Sequence, residues 1–138
     1  MTRGEAWSLH VSSALVGGTG LVYGWMRYFA ESDDPFSLVN HPAEPLLRSL
    51  HIVLAPALVF ACALVWNGHV WARFRSRFRP RRRTGLLMAA ALGPMIASGY
   101  LLQVSVEEFW RTTWLVVHLV SSIVWLPLYL GHQFLRRG

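Results

Sequence analysis

WRTTWLVVHLVSSIVWLPLYLGHQFLRR, residues Trp110 to Arg137, decides the fold. From Trp114 to Phe134 it carries no charged residue other than two histidines, His118 and His132. Read as a helix rising ~1.5 Å per residue, it is long enough to cross a hydrocarbon core of ~30 Å. A helix turns ~100° per residue, so a fourteen-residue gap returns His132 to within ~40° of His118, ~21 Å further along the axis. Ionisable side chains inside such a segment are costly and point to function.

The rest of the chain fits the same medium. Of its 138 residues 54% are hydrophobic and 14% charged, the profile of an integral membrane protein. The single cysteine, Cys62, excludes a disulfide within the chain and a Cys-x-x-Cys-His attachment site for haem. The net charge of +6 comes from thirteen arginines without a lysine. Seven of them lie in one loop, Arg73 to Arg83 (RFRSRFRPRRR), between two apolar segments. Basic residues placed there set orientation across a membrane and meet anionic lipid head groups. No folded reader of nucleic acid accompanies them, so no nucleic-acid partner is expected.

Three further apolar segments precede the last one. The first, residues 7–29, is longer than the apolar core of a signal peptide and lacks a clean small-x-small cleavage site, so it reads as a retained helix. Its glycines, Gly17, Gly18, Gly20 and Gly24, form a small-residue face for another helix or a flat cofactor. The second spans 46–71 with Pro56 inside it, and the third 84–106, shaped by Gly93, Pro94 and Gly99 and read as a packing helix. The fourth covers 110–135. The expectation is an all-α, single-domain bundle of four transmembrane helices over residues 1–138. With the N-terminus on the arginine-loop side, that side collects ten arginines and one acid, and the other three arginines and six acids. Both termini are then cytoplasmic in a bacterial inner membrane, and Trp7, Trp71, Trp110 and Trp114 belong to interfacial belts.

On this topology five of the six histidines lie within segments. His51 and His118 fall near the periplasmic side, and His10, His69 and His132 near the cytoplasmic side. Neutral imidazole ligates iron, and one pair at each level would hold two non-covalent b-type haems. The upper pair is His51 with His118. The lower is His132 with either His10 or His69. Periodicity does not choose between them: His69 lies eighteen residues from His51, five turns of a regular helix.

The pattern resembles the di-haem cytochrome b family, which includes small bacterial cytochromes of the b561 type and the cytochrome b subunits of membrane-bound hydrogenases and formate dehydrogenases. That family places one ligand near the start of helix one, one near the start of helix two, and two on helix four with the same fourteen-residue gap. The matching residues here are His10, His51, His118 and His132. The resemblance implies His51 with His118 and His10 with His132 as axial pairs. It covers nearly the whole chain and rests on ligand spacing; His69 is the departure, an additional candidate in place of His10. Arg48 and Arg136 each lie one turn from a ligand position, where an arginine pairs with a haem propionate or anchors the helix at the interface. Pro127, between the two histidines of the last segment, bends it. His41, in the loop Glu31–Pro45, reads as solvated, with a quinone or partner contact as the minority reading.

The resulting expectation is an electron-transfer subunit in contact with membrane lipid. It would relay electrons between a periplasmic redox protein, or a larger redox complex, and a quinone or other acceptor. No acid–base pair, nucleophile or nucleotide-binding motif marks independent chemistry. Two other classes compete: a stand-alone quinone oxidoreductase, and a haem-free structural anchor whose histidines hydrogen-bond between helices.

Overall fold

The computed structural model describes residues 1–76 and 82–134, and all the regular structure among them is helical. Helix α1 runs Arg3–Tyr28, and α2 runs Glu44–Val65. A six-residue π-helical segment, Trp66–Trp71, follows, and a short α3, Ala72–Arg75, ends the rod. Helix α4 covers Arg82–Val104 and α5 covers Glu108–Phe134. Helices α1, α2 and α5 each begin a few residues before the apolar segment that announces them. At α1 the cause is a capping box: the Glu5 amide donates to Thr2 Oγ1 at 3.2 Å and the Thr2 amide to Glu5 Oε2 at 2.7 Å, satisfying amides that the first turn leaves unpaired. At α2, Pro45 in the first turn fixes a helical φ where no N–H is needed.

Three helical stretches among the described residues are long and apolar enough to cross a membrane: Glu44–Arg75, Arg82–Val104 and Glu108–Phe134. Helix α1 has the length, with 26 residues, but its five glycines together with Ser8, Ser12, Ser13 and Thr19 dilute its apolar character. Two of its hydroxyls are turned inward on the helix itself. Ser12 Oγ donates to the Ser8 carbonyl at 2.7 Å and Thr19 Oγ1 to the Leu15 carbonyl at 2.7 Å, which spares these groups a bare meeting with hydrocarbon.

The chain divides into two compact units, Met1–His69 and Val70–Gly138. In the first, α1 and α2 pack as an antiparallel hairpin, with late α1 residues against early α2 residues. Leu9, Val16, Met26, Leu58, Ala61, Cys62 and Val65 are buried there. The loop between the two helices is tied down by a polar knot. Arg27 Nη1 donates to Glu44 Oε1 at 3.3 Å, the Asn40 amide to Glu44 Oε2 at 3.1 Å, and Asn40 Nδ2 to the Arg27 carbonyl at 2.7 Å. Glu44 is only 5% exposed, so this partnership is what makes its burial tolerable. In the second unit α4 and α5 form another antiparallel hairpin; Ser98, Ser121, Trp125 and Tyr129 are buried, the two rings stacked at 5.1 Å. Large apolar side chains such as Val53, Phe60, Val116 and Ile123 are instead exposed, as lipid-facing residues are.

The π segment changes one reckoning. The five-turn argument that puts His69 on the face of His51 assumes an unbroken α-helix. His69 lies inside Trp66–Trp71, where i→i+5 bonding widens the turn, so regular α-periodicity does not carry from one histidine to the other.

Candidate functional site

Each helix hairpin presents a histidine from its second helix to a hydroxyl–glycine pair on its first. In the first unit, His51 Nδ1 lies 3.0 Å from the Val16 carbonyl oxygen and 3.4 Å from Thr19 Oγ1. Gly20 follows Thr19, and a Cβ added there would stand 2.8 Å from His51 Cε1 and 3.1 Å from Nδ1. In the second, His118 Nδ1 lies 3.0 Å from the Met95 carbonyl oxygen and 3.4 Å from Ser98 Oγ. Gly99 follows Ser98, and an added Cβ would stand 3.1 Å from His118 Cε1. Carbonyl, hydroxyl three residues on and glycine one further: the same socket occurs in both units.

The hydrogen bonding fixes which imidazole nitrogen carries the proton. A hydroxyl has one hydrogen to give. Thr19 gives its own to the Leu15 carbonyl at 2.7 Å, and Ser98 gives its own to the Pro94 carbonyl. Both hydroxyl oxygens are therefore acceptors toward the ring, as are the Val16 and Met95 carbonyls. Two acceptors require Nδ1 to donate. The lone pair of His51 and of His118 then resides on Nε2, the tautomer that ligates a metal through Nε2.

His132 has a related setting. Its Nδ1 lies 3.0 Å from Thr84 Oγ1, and a Cβ on the following Gly85 would come 3.7 Å from its Cε1. His118 and His132 both touch α4, so the contacts place them on one face of α5. Thr84-Gly85 and Ser98-Gly99 are fourteen residues apart on α4, the spacing of His132 and His118 on α5; equal rise keeps antiparallel helices in register. Thr19-Gly20, Thr84-Gly85 and Ser98-Gly99 are the three Ser/Thr-Gly dipeptides in the chain, and each faces a histidine. That dipeptide was the available sequence signal. Reading α4 as a packing helix without a histidine overlooked it.

The remaining candidates are set differently. His10 is partly buried on α1 and meets Trp7 edge to face at 6.4 Å. One turn on, Ser13 is 2% exposed, and its hydroxyl is buried without a hydrogen-bond partner among the described residues. His69 is partly buried in the π segment. Arg48 is exposed one turn before His51. Arg136 lies outside the described residues, as do Arg77, Arg79 and Arg81 of the basic loop. His41 Nδ1 accepts the Ala43 amide at 3.1 Å in the loop, and both carboxylate oxygens of Glu44 are engaged by Arg27 and Asn40.

No group of three or more His, Cys, Asp or Glu side chains converges on one point among the described residues. A haem iron asks less of the protein, since the macrocycle supplies its equatorial ligands and one or two axial side chains complete the shell. An open apolar groove of about 360 Å³ in the second unit is lined by Pro94, Val117, Val120, Ser121 and Val124 among others. No family model, curated protein or solved structure matches the chain.

Proposed function

We propose that the chain is a membrane-embedded electron relay holding two non-covalent b-type haems between its helices. The observation that carries this reading is the repeated socket at His51 and His118: partly buried imidazoles whose Nδ1 protons are committed, so that Nε2 is the ligating atom. Glycine beside each ring supports it further, because it leaves the volume that a close-set imidazole needs. His51 and His118 would hold one haem. His132 and His10 serve the second, with His69 the alternative to His10. The unsatisfied Ser13 hydroxyl, one turn from His10, favours a polar ligand group at that level.

In this account α1 is the fourth crossing, both termini are cytoplasmic, and the membrane is a bacterial inner membrane, as the arginine distribution favours. Bound haem supplies a one-electron centre at each level. The protein holds the imidazoles in one tautomer, orients the rings, and surrounds them with apolar side chains that exclude water. Arg48 and Arg136 are the propionate candidates. A periplasmic redox protein or larger complex and a quinone are the exchange partners.

The same contacts also favour a second reading. Each Nδ1 bond already ties one helix to its neighbour, which is what a haem-free anchor would need. The two readings part on alanine variants of His10, His51, His69, His118 and His132, purified in detergent and scored for low-spin ferric haem by electron paramagnetic resonance. The relay predicts that His51→Ala and His118→Ala remove one signal, and that His10→Ala and His132→Ala remove the other. Loss with His69→Ala instead of His10→Ala moves the lower ligand to the π segment. A wild-type protein without haem leaves the anchor.

A further inference from the structure

We propose that Thr19 and Ser98 are positioning residues that hold His51 and His118 in the Nδ1–H tautomer and set the electron donation of each ring toward a bound iron. The part that concerns iron rests on the haem reading above; the tautomer part does not.

The hydroxyls are placed to act on the ring rather than only on their own helix. Thr19 Oγ1 donates to the Leu15 carbonyl at 2.7 Å and Ser98 Oγ to the Pro94 carbonyl, so the remaining lone pairs of each oxygen are available at 3.4 Å to the imidazole N–H. Each N–H is thus shared between a carbonyl at 3.0 Å and a hydroxyl oxygen at 3.4 Å. A backbone carbonyl alone would anchor the ring but cannot be varied by sequence. A serine or threonine three residues on from it adds a second acceptor that the sequence does control. Ser98 is 0% exposed, so no water competes for its oxygen.

The chemical consequence has a definite sign. Acceptors at Nδ1–H draw that proton away from the ring and raise the basicity of Nε2. A more basic imidazole stabilises the oxidised iron more than the reduced one, which lowers the midpoint potential. Removing an acceptor therefore raises it. Because the two sockets are alike, Thr19→Ala and Ser98→Ala both shift the potential upward, and in the His51–His118 pairing they act on the same haem.

Two measurements decide the matter. The first is the ¹⁵N shift of His51 and His118 in the full-length protein in detergent, before haem is supplied. Protonated Nδ1 with unprotonated Nε2 is expected at both. A protonated Nε2 at either in the neutral ring overturns the assignment of that socket, whatever the protein binds. The second is a redox titration of the haem-loaded protein. Ser98→Ala is expected to raise the reduced-to-oxidised ratio at fixed potential about threefold, ~28 mV for a one-electron couple, while Ser98→Thr stays at the wild-type value. An unchanged potential in both Ser98→Ala and Thr19→Ala, or a shift that Ser98→Thr does not reverse, overturns the tuning role. Should the wild type take up no haem, the relay reading fails, and the ¹⁵N result alone judges the sockets.

Discussion

Adding one methyl group to each socket glycine makes the strongest demand on the geometry. Glycine to alanine in a helix interior ordinarily stabilises by ~1 kcal/mol through backbone entropy and helix propensity. Gly24 on α1 has nothing within 4 Å of an added Cβ, so Gly24→Ala should show that gain. Gly20 lies one turn earlier on the same helix, but its Cβ would come within 2.8 Å of His51 Cε1. The atom in the way belongs to a rigid ring anchored at Nδ1, not to the free end of a flexible chain. The ring must leave its acceptors or the helices must part, and overpacking of that kind costs roughly 1–3 kcal/mol. The two variants should therefore differ by about 1–3 kcal/mol in favour of Gly24→Ala, the propensity term cancelling between them. Gly99→Ala, with His118 Cε1 at 3.1 Å, should fall between them, and Gly85→Ala, at 3.7 Å from His132 Cε1, meets only ordinary contact. Unfolding of haem-free protein in mixed micelles by a denaturing detergent, followed by circular dichroism, gives the ranking. Gly20→Ala as stabilising as Gly24→Ala would show that His51 does not sit against α1 as described.

Three further substitutions test the hairpin itself. Arg27→Ala leaves the carboxylate of Glu44, 5% exposed, without its cation; because Arg27 is half-exposed, the loss should be about 1–2 kcal/mol, well short of a fully buried pair. Ser13→Ala removes a buried hydroxyl without a partner and should stabilise the haem-free protein by ~1 kcal/mol in the same detergent titration; a loss of stability would mean that the hydroxyl is bonded. Thr2→Ala removes the hydroxyl that accepts the Glu5 amide, one half of the capping box, and amide hydrogen exchange in the first turn of α1 should accelerate by the equivalent of about 0.5–2 kcal/mol, while exchange in α5 is unaffected.

Sequence alone made the helical architecture legible, because long apolar runs bounded by charged loops admit few other solutions. It also picked out the histidines, since an imidazole amid leucine and valine stands apart from its surroundings. The face shared by His118 and His132 followed from their spacing on a regular helix, and their contacts with α4 agree with it. What it hid were features that depend on a neighbouring helix or on departure from regularity. Thr19-Gly20 and Ser98-Gly99 look like ordinary small-residue packing until the register of the hairpin sets a ring against each. Trp66–Trp71 carries no proline to announce a change of pitch, so five regular turns between His51 and His69 looked sound. The start of α1 was readable from Thr2 and Glu5 as a capping box, yet an apolar window set it at Trp7. Glu44 reads as one acid of a polar loop; its burial beside Arg27 follows from the fold of the turn.

The haem content of the wild-type protein, measured per polypeptide by the pyridine haemochrome method after purification in mild detergent, tests the central claim most directly. The account predicts b-type haem at two per chain. A monodisperse, helical preparation that carries none, and takes none up when haem is supplied, would contradict it and leave the sockets as the hydrogen bonds of a structural anchor.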